Sequence, residues 1–252
     1  MRVLIYSDVH ANLEALQAMI EATTGRYDAS VCLGDMVGYG ANPNETTAWV
    51  RQNTPVVIRG NHDRACASLD GIGGFNASAA AAALWTHAQL EAAHTEWLQA
   101  LPAGPFPWHE LSLVHGSPLD EDEYLLQVVQ AAGSFAATVG AQQWFGHSHL
   151  QGGFTLADDQ VQPWLTAVPG ENPPPEAKVI QVQLQPGSRY LLNPGSVGQP
   201  RDGDWRAAFA ILDEGSQQVE FHRIPYDVAG AQRRILDAGL PERLAARLSK
   251  GR

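Results

Sequence analysis

Five short polar motifs, each placed where an apolar β-rich run ends, constrain the fold of this chain more than any other feature. The motifs are Asp8-Val9-His10, Gly34-Asp35, Gly60-Asn61-His62-Asp63, His115-Gly116 and Gly146-His147-Ser148-His149. They follow β-rich runs at residues 2–6, 29–33, 55–58, 111–114 and 143–145. Loops beyond the carboxyl ends of parallel strands converge at one edge of a sheet. The sequence therefore predicts an α/β or α+β fold in which the five motifs meet.

Helices and antiparallel strands complete the predicted organisation. Helical spacing and Pro43 after Asn42 predict helices over residues 13–20 and 43–52. An alanine-rich helical cover is expected over about 68–101, and another helix over 121–139. Beyond residue 152 the chain has the texture of antiparallel strands, and residues 227–249 predict two helices. We expect antiparallel strands at 161–166, 179–184, 189–193, 207–212 and 219–224. No linker is apparent in the sequence, so a single domain spanning residues 1–252 is expected.

Composition narrows the class of partner. The formal net charge is −11 and no block is rich in Lys or Arg, which excludes bulk attraction to nucleic acid. No apolar run approaches the ~20 residues that a membrane helix needs. The amino terminus carries no signal-peptide pattern, so a cytoplasmic protein with no membrane association is expected. Cys32 and Cys66 form no disulfide pattern, and the oligomeric state is unknown from sequence.

The motifs contain the side chains that bind divalent metals. A lone Asp-x-His or Gly-Asp pair is weak evidence, whereas five such motifs in order, each after a β-rich run, are specific. Carboxylate, imidazole and amide ligands without thiolates suit manganese first, with iron, cobalt, zinc, nickel or magnesium as alternatives. Two such metals about 3.5–4 Å apart form a hydrolytic phosphate site. Together the five motifs offer enough such ligands for two metals.

This set of motifs resembles the calcineurin-like metallophosphoesterase superfamily, over residues 3–150 and more loosely beyond. The resemblance implies a four-layer αββα sandwich of two mixed sheets flanked by helices. The first half of the chain would supply the parallel sheet and most ligands, and the C-terminal strands would form most of the second, more antiparallel sheet. It also implies that Asp35 bridges two divalent metals. One metal would take Asp8, His10 and His149, and the other Asn61, His115 and His147. Hydrolysis of a small, possibly nucleotide, phosphodiester or phosphomonoester would then proceed by attack of a metal-bridging hydroxide.

The same resemblance predicts two catalytic residues that do not bind metal. His62 would protonate the leaving oxygen or stabilise the phosphoryl charge, and Asp63 would orient His62. Ligation requires unprotonated imidazoles, so activity is expected to fall at acid pH.

The substrate is less constrained than the chemistry. Protein Ser/Thr phosphatases usually follow the bridging aspartate with an Asp-Arg-Gly, and no such arginine follows Asp35 here. The motif around Asp8 and the segment Asn193-Pro194-Gly195-Ser196-Val197 look instead like the small bacterial phosphodiesterase branch, which is often labelled diadenosine tetraphosphatase-like. Asn12 and Arg201 are candidate substrate ligands, although Arg201 could equally be a surface charge paired with Asp202 or Asp204. A protein Ser/Thr phosphatase and a non-catalytic scaffold remain the alternatives.

Overall fold

Apolar strands that are buried on both faces organise this protein, which a computed structural model describes over residues 1–167 and 173–252. The first strand, β1 (Arg2–Tyr6), shows the pattern. Its Val3 and Ile5 face one apolar cluster, whereas Leu4 and Tyr6 face another. Successive side chains of a strand point to opposite faces, so a strand with two apolar faces must lie between two packed layers.

The described residues form twelve strands and eight α-helices. The remaining strands are β2 (Ala29–Cys32), β3 (Val56–Val57), β4 (Phe106–Trp108), β5 (Leu111–Leu113), β6 (Gln142–Trp144), β7 (Gly152–Ala157), β8 (Gln160–Leu165), β9 (Lys178–Gln183), β10 (Arg189–Asn193), β11 (Ala207–Asp213) and β12 (Gln218–Ile224). The helices are α1 (Leu13–Thr23), α2 (Pro43–Asn53), α3 (Asn61–Ser68), α4 (Ala77–Gln89), α5 (Ala92–Gln99), α6 (Val128–Ala137), α7 (Val228–Asp237) and α8 (Glu242–Leu248).

Two mixed six-stranded sheets contain all of these strands. The first has the order β3-β2-β1-β11-β12-β9, and the second β4-β5-β6-β10-β7-β8. Strands β1, β2 and β3 are parallel in the first sheet, and β5, β6 and β10 are parallel in the second. The expected segregation of the C-terminal strands into the second sheet is wrong, because β11 pairs with β1. All residues of β11 but the last are buried, and such a strand fits only a central position.

The apolar clusters define the layers. Val3, Ile5, Trp144, Leu192 and Phe221 belong to the cluster between the sheets, since they come from strands of both. The other face of the first sheet packs against α1 and its neighbours, and the second sheet packs against α6. This arrangement confirms the prediction of two mixed sheets flanked by helices.

Among the segments that differ from the sequence prediction, two have a clear physical cause. The helix expected over 121–139 begins only at Val128, because Arg59 and Arg64 form ion pairs with Glu121 and hold the preceding segment in an irregular conformation. Strand β7 was not predicted, because its two leading glycines weaken the strand pattern. A Cβ at Gly153 would overlap the backbone of β10, so the close approach of this strand requires glycine.

Among the helices described by the structure, none combines the length and the hydropathy needed to cross a membrane.

Packing between the sheets should contribute strongly to stability. We expect Leu192→Ala to lower the free energy of unfolding by about 2–5 kcal/mol, because Leu192 is fully buried in the cluster between the sheets and its truncation leaves a cavity. Leu84→Ala is the control, since Leu84 is 53% exposed on α4. Denaturant unfolding measures both variants, and equal losses in the two would contradict the assignment of Leu192 to the core.

Candidate metal centre

The structure brings all seven predicted metal-ligand residues to one place. Asp8, Asp35 and Asn61 follow β1, β2 and β3 of the first sheet, whereas His115 and His147 follow β5 and β6 of the second. The carboxyl ends of parallel strands from both sheets therefore face the same crevice. All seven side chains are buried, although each is polar: Asp8, His10, Asp35, Asn61, His115, His147 and His149.

Four of these residues form a first ligand group. One ligand atom from each of Asp8, His10, Asp35 and His149 lies within 4.8 Å of the others. The Nε2 atoms of His10 and His149 are 3.1 Å apart, and His149 Nε2 is 3.1 Å from Asp8 Oδ1. Ligands about 2.0–2.2 Å from one ion lie roughly 2.8–3.6 Å from their neighbours, from octahedral to tetrahedral coordination. These separations are those of side chains arranged around a single small cation.

A second group shares Asp35 with the first. One ligand atom from each of Asp35, His115 and His147 also lies within 4.8 Å of the others. His115 Nε2 lies 3.3 Å from Asp35 Oδ2 and 3.1 Å from Asn61 Oδ1. Asp35 Oδ2 is also 3.7 Å from His10 Nε2, so this oxygen faces both groups. The other oxygen, Oδ1, accepts the backbone N–H of His62 at 2.8 Å.

Hydrogen bonds from the outer ring nitrogens orient the imidazoles. His10, His115 and His149 place Nδ1 against the carbonyl oxygens of three other loops, at 3.1, 2.7 and 2.5 Å. A carbonyl oxygen can only accept, so Nδ1 carries a proton and Nε2 is the ring nitrogen that faces the site. His147 is reversed: its Nε2 donates to Asp122 O at 3.1 Å, which leaves Nδ1 as its ligand atom.

The residues present fit divalent metals in a further respect. Asp8 Oδ1 and Asp35 Oδ2 are buried and have no hydrogen-bond partner among the described residues. Unpaired buried carboxylate oxygens are costly, and a cation between them removes that cost. Although burial opposes its ionisation, His115 and His62 hold the pKa of Asp35 well below its ordinary value. Asp35 in turn raises the pKa of His115 to about 10 against the effect of burial. A metal bound here would therefore displace a proton from His115.

The ligand loops have an unusual backbone conformation. Asp8, His10, Asp35, His147 and His149 all have φ between 50° and 61°. Non-glycine residues rarely adopt this left-handed conformation, which costs on the order of 1–3 kcal/mol each and concentrates at functional sites. Backbone hydrogen bonds oppose the cost, since Asp8 N donates to Gly34 O and His10 N donates to Asp35 O. The first two motifs thus hold each other in place.

Two glycines allow the motifs to approach one another. A Cβ on Gly60 would overlap Asp35 Oδ1, and one on Gly146 would overlap Ser7 Oγ. Both positions border the ligands directly, so the glycines of the motifs at residues 60–63 and 146–149 are required by close packing rather than by turn geometry.

Asp63 has a different role from the predicted one. Its Oδ2 accepts the backbone N–H groups of Asp35 and Gly60, and its Oδ1 accepts that of Met36 at 2.9 Å. Burial and the charge of Asp35 raise the pKa of Asp63 to about 7. The prediction that Asp63 orients His62 is wrong, because both of its oxygens are occupied by backbone amides. Asp63 instead fixes the loop that carries Asp35.

His62 lies beside the ligands in an aromatic enclosure. Its ring centroid is 4.3 Å from that of Tyr39, 4.4 Å from that of Phe75 and 4.9 Å from that of His10. His62 Nδ1 is buried and has no hydrogen-bond partner within residues 1–167 and 173–252. Burial, together with the nearby Arg201, lowers the pKa of His62 to about 4. The ring is therefore neutral at pH 7.

Arg201 reaches the same enclosure and is not a surface charge. Its Nη2 lies 3.3 Å from Tyr39 Oη, and its Nη1 lies 3.4 Å from Tyr124 Oη. Asp202 pairs with Arg223 and Asp204 with Arg206, so neither neighbouring acid neutralises Arg201.

Asn12, by contrast, has structural partners. Its Oδ1 caps α1 by accepting Ala15 N, and its Nδ2 donates to Gly198 O and Tyr226 Oη. Its predicted contact with substrate stays a prediction that these hydrogen bonds do not support.

Several residues support the site without belonging to the five motifs. Asn193 Nδ2 donates to Gly146 O and Ser148 Oγ, and Ser196 Oγ donates to Asp8 O. Both residues lie in the segment 193–197, whose resemblance to the phosphodiesterase branch does not indicate this supporting role. The irregular segment at 121–127 was missed altogether. It places Asp122 O on His147 and stacks Tyr124 on the His147 ring, with centroids 4.0 Å apart.

Comparison with known proteins identifies the family. Residues 1–217 match the model of the calcineurin-like phosphoesterase superfamily domain. The chain belongs to this superfamily. The prediction from the motifs is thereby confirmed. The superfamily binds divalent metals, and the two ligand groups form the candidate metal centre of this chain.

Similar proteins match along their whole length. The uncharacterized protein MJ0912 of Methanocaldococcus jannaschii is 33% identical over 257 residues, covering 99% of this chain and 98% of the relative. The crystal structure of a metallophosphoesterase from Sphaerobacter thermophilus is 39% identical and superimposes with a TM-score of 0.83, covering 100% and 99% of the two chains. The hypothetical protein PH1004 of Pyrococcus horikoshii OT3 has a TM-score of 0.76 at 20% identity, covering 100% and 98%. This last likeness is one of fold.

The close approach of Gly60 to Asp35 provides a test of the site. We expect Gly60→Ala to lower the amount of metal bound by the purified protein, because the added methyl group would displace the Asp35 carboxylate. Gly133→Ala is the matched control, since a Cβ at Gly133 in α6 meets nothing within 4 Å. Elemental analysis after Mn²⁺ loading measures both variants. Full metal content in a folded Gly60→Ala protein would show that the site tolerates the displacement.

Proposed function

We propose that this protein is a metal-dependent hydrolase of small phosphate esters. The observation that carries the proposal is the pair of buried ligand groups that share Asp35 Oδ2. Asp8, His10 and His149 would complete the site of one divalent ion, with manganese as the first expectation. The second would be held by Asn61, His115 and His147 together with the shared carboxylate. Metals held there supply the positive charge that stabilises phosphoryl oxygens during in-line hydrolysis.

His62 would act on the substrate as a neutral hydrogen-bond donor. Its ring is fixed between Tyr39 and Phe75, and burial disfavours the imidazolium. Cations in the adjacent site would disfavour the charged ring further. Of the two roles expected from the sequence, stabilisation of the phosphoryl charge therefore fits better than protonation of the leaving oxygen. A preorganised donor of this kind lowers the barrier because it does not reorient during the reaction.

Arg201 would supply the phosphate clamp that is missing after Asp35. Its guanidinium is bonded to tyrosine hydroxyls rather than to a carboxylate, so it keeps its full charge. Its backbone N–H donates to His149 O, which fixes its distance from the first ligand group. Arginine is well suited to this role, since its planar fork binds phosphate through two parallel hydrogen bonds.

The aromatic enclosure favours a small substrate over a phosphoprotein. Tyr39 and Phe75 cover His62, Tyr124 covers His147, and Arg201 connects the two tyrosines across the site. A protein phosphatase needs an open groove for a polypeptide. The scaffold alternative is disfavoured by the ligand set, because an inactive relative has no need to keep seven buried polar side chains around one space.

A direct assay tests the proposal. Protein loaded with Mn²⁺ should hydrolyse bis-p-nitrophenyl phosphate or p-nitrophenyl phosphate, and a panel of mononucleotides, cyclic nucleotides, dinucleoside polyphosphates and phosphopeptides then ranks the substrates. Hydrolysis of phosphopeptides alone would instead support a protein phosphatase. If a fully metallated protein leaves every substrate intact, the result would support the non-catalytic scaffold instead.

The shared carboxylate should control metal binding at both groups. We expect Asp35→Asn to lower metal content and to abolish hydrolysis, because the amide removes a charge and presents a nitrogen or a weaker oxygen donor to the cations. Asp70→Asn, at an exposed residue, is the control. Elemental analysis and the diester assay measure both. Two full metal equivalents in Asp35→Asn would rule out a bridging role for Asp35.

His62 should affect rate without affecting metal. We expect His62→Ala to retain its metal and to lower kcat by about 10²–10⁴-fold, the usual contribution of a positioned acid, base or donor. His109→Ala removes a half-exposed imidazole at the opposite end of the strands and serves as the control. Steady-state kinetics and metal analysis separate the two effects. Unchanged kcat in His62→Ala would exclude a role in the reaction.

A further inference from the structure

Two arginines flank Tyr39 at the rim of the candidate metal centre. The guanidinium carbon of Arg201 lies 5.9 Å from the centroid of the Tyr39 ring, and that of Arg247 lies 5.8 Å from it. Arg247 belongs to α8, near the end of the chain, whereas Arg201 lies in the loop between β10 and β11. The fold therefore brings two distant segments together and places two like charges on one aromatic ring.

No acidic side chain pairs with either arginine within the described residues. Arg201 bonds to Tyr39, Tyr124 and Gln199, and Arg247 Nε donates to a main-chain oxygen of the last residue, Arg252. Ion pairs elsewhere occupy the acids that stand next to Arg201 in sequence. The chain has 27 acidic and 16 basic residues, so acidic side chains are plentiful, but none of those described pairs with this cluster.

Such a cluster is electrostatically unfavourable by itself. Burial and the charge of Arg201 lower the pKa of Arg247, which is half-buried. Burying a charge without a counter-charge is costly, and a second like charge nearby adds to the cost. Tyr39 offsets part of it, since cations are attracted to the faces of aromatic rings. An anion bound between the guanidiniums would offset the remainder through charge-assisted hydrogen bonds.

The cluster adjoins the ligands. The Tyr39 ring is 4.6 Å from that of His10 and 4.3 Å from that of His62, measured between centroids. An anion on the two arginines would therefore be a near neighbour of a phosphate at the metals. The backbone of Arg201 is bonded to His149, so its side chain lies close enough to contact both the phosphate at the metals and the second anion. The contacts of Arg247 are with Tyr39 and the end of the chain, so it would contact only the second anion.

We propose that Arg201, Tyr39 and Arg247 form a second anion subsite that binds a further phosphate group of the substrate. This inference rests on the proposed function and deepens it, because it names the substrate class. The substrate is a small phosphate ester or anhydride that carries at least two phosphate groups. Arg247 is then a specificity-determining residue, whose contribution is restricted to substrates with the second phosphate.

Binding measurements test the subsite independently of turnover. Isothermal titration calorimetry of Mn²⁺-loaded protein compares AMP with ADP and with adenosine 3′,5′-bisphosphate, which place the second phosphate at different spacings. Wild-type protein should bind at least one of the two bisphosphorylated ligands more tightly than AMP. Arg247→Gln should raise the Kd of that ligand about tenfold, equivalent to ~1.4 kcal/mol, and should leave the Kd of AMP within about twofold.

Two further variants separate charge from structure. Arg247→Lys keeps the charge and should retain part of the preference, whereas Arg233→Gln removes an exposed arginine of α7 and should change nothing. Equal weakening of AMP and of the bisphosphorylated ligands in Arg247→Gln would overturn the subsite, as would no weakening of either.

The failure of the subsite is distinguishable from failure of the proposed function. If no phosphate ester is hydrolysed but Arg247 controls the binding preference, the subsite stands and the hydrolase proposal fails. If simple esters are hydrolysed and KM for bisphosphorylated substrates is unchanged in Arg247→Gln, the hydrolase proposal stands and the subsite is wrong.

Discussion

The carboxylate of Asp35 is the contact on which the rest of the site depends. One oxygen is held by the N–H of His62, at the start of α3, and the other faces both ligand groups. Three strands of the first sheet end at residues that touch this carboxylate or its loop, and His115 brings in the second sheet. A single buried charge thus joins two sheets at the edge where their parallel strands end, and its counter-charge must come from cations or from a protonated imidazole.

Holding that geometry requires the backbone to be strained and then supported. Five ligand residues adopt positive φ, and hydrogen bonds between loops provide the support. Asp63 is the clearest example, because its two oxygens accept three backbone amides of the segment that begins at Asp35. Its high pKa reflects the cost of burying a second carboxylate beside the first. The site is therefore preorganised by residues that contact neither metal nor substrate.

The sequence predicted the parts of the structure that depend on local pattern. Strand ends, the grouping of the motif side chains and the helices at 77–99 follow from short runs of residue type, and the structure has them close to where they were expected. The sequence did not predict the order of the strands. Strand β11 has the composition of any buried strand, and only tertiary packing places it beside β1. The sequence also missed the irregular segment before α6, since Arg59 and Arg64 hold Glu121 from more than fifty residues away.

The roles of charged residues were the hardest to predict, and they determine how this acidic chain can attract an anion. Asp63 follows His62 in sequence, but its oxygens accept backbone amides. Arg201 precedes Asp202, but Asp202 pairs with Arg223. The acids beside Arg201 are neutralised by Arg206 and Arg223, so the net charge of −11 says little about the field inside the crevice. There, Asp8 and Asp35 would be outweighed by two divalent cations, and two arginines stand at the rim. In a buried site of low dielectric these few charges dominate over distant surface carboxylates, which solvent screens. A doubly phosphorylated substrate is the ligand whose charge distribution matches that pattern: one phosphate for the cations and one for the guanidiniums.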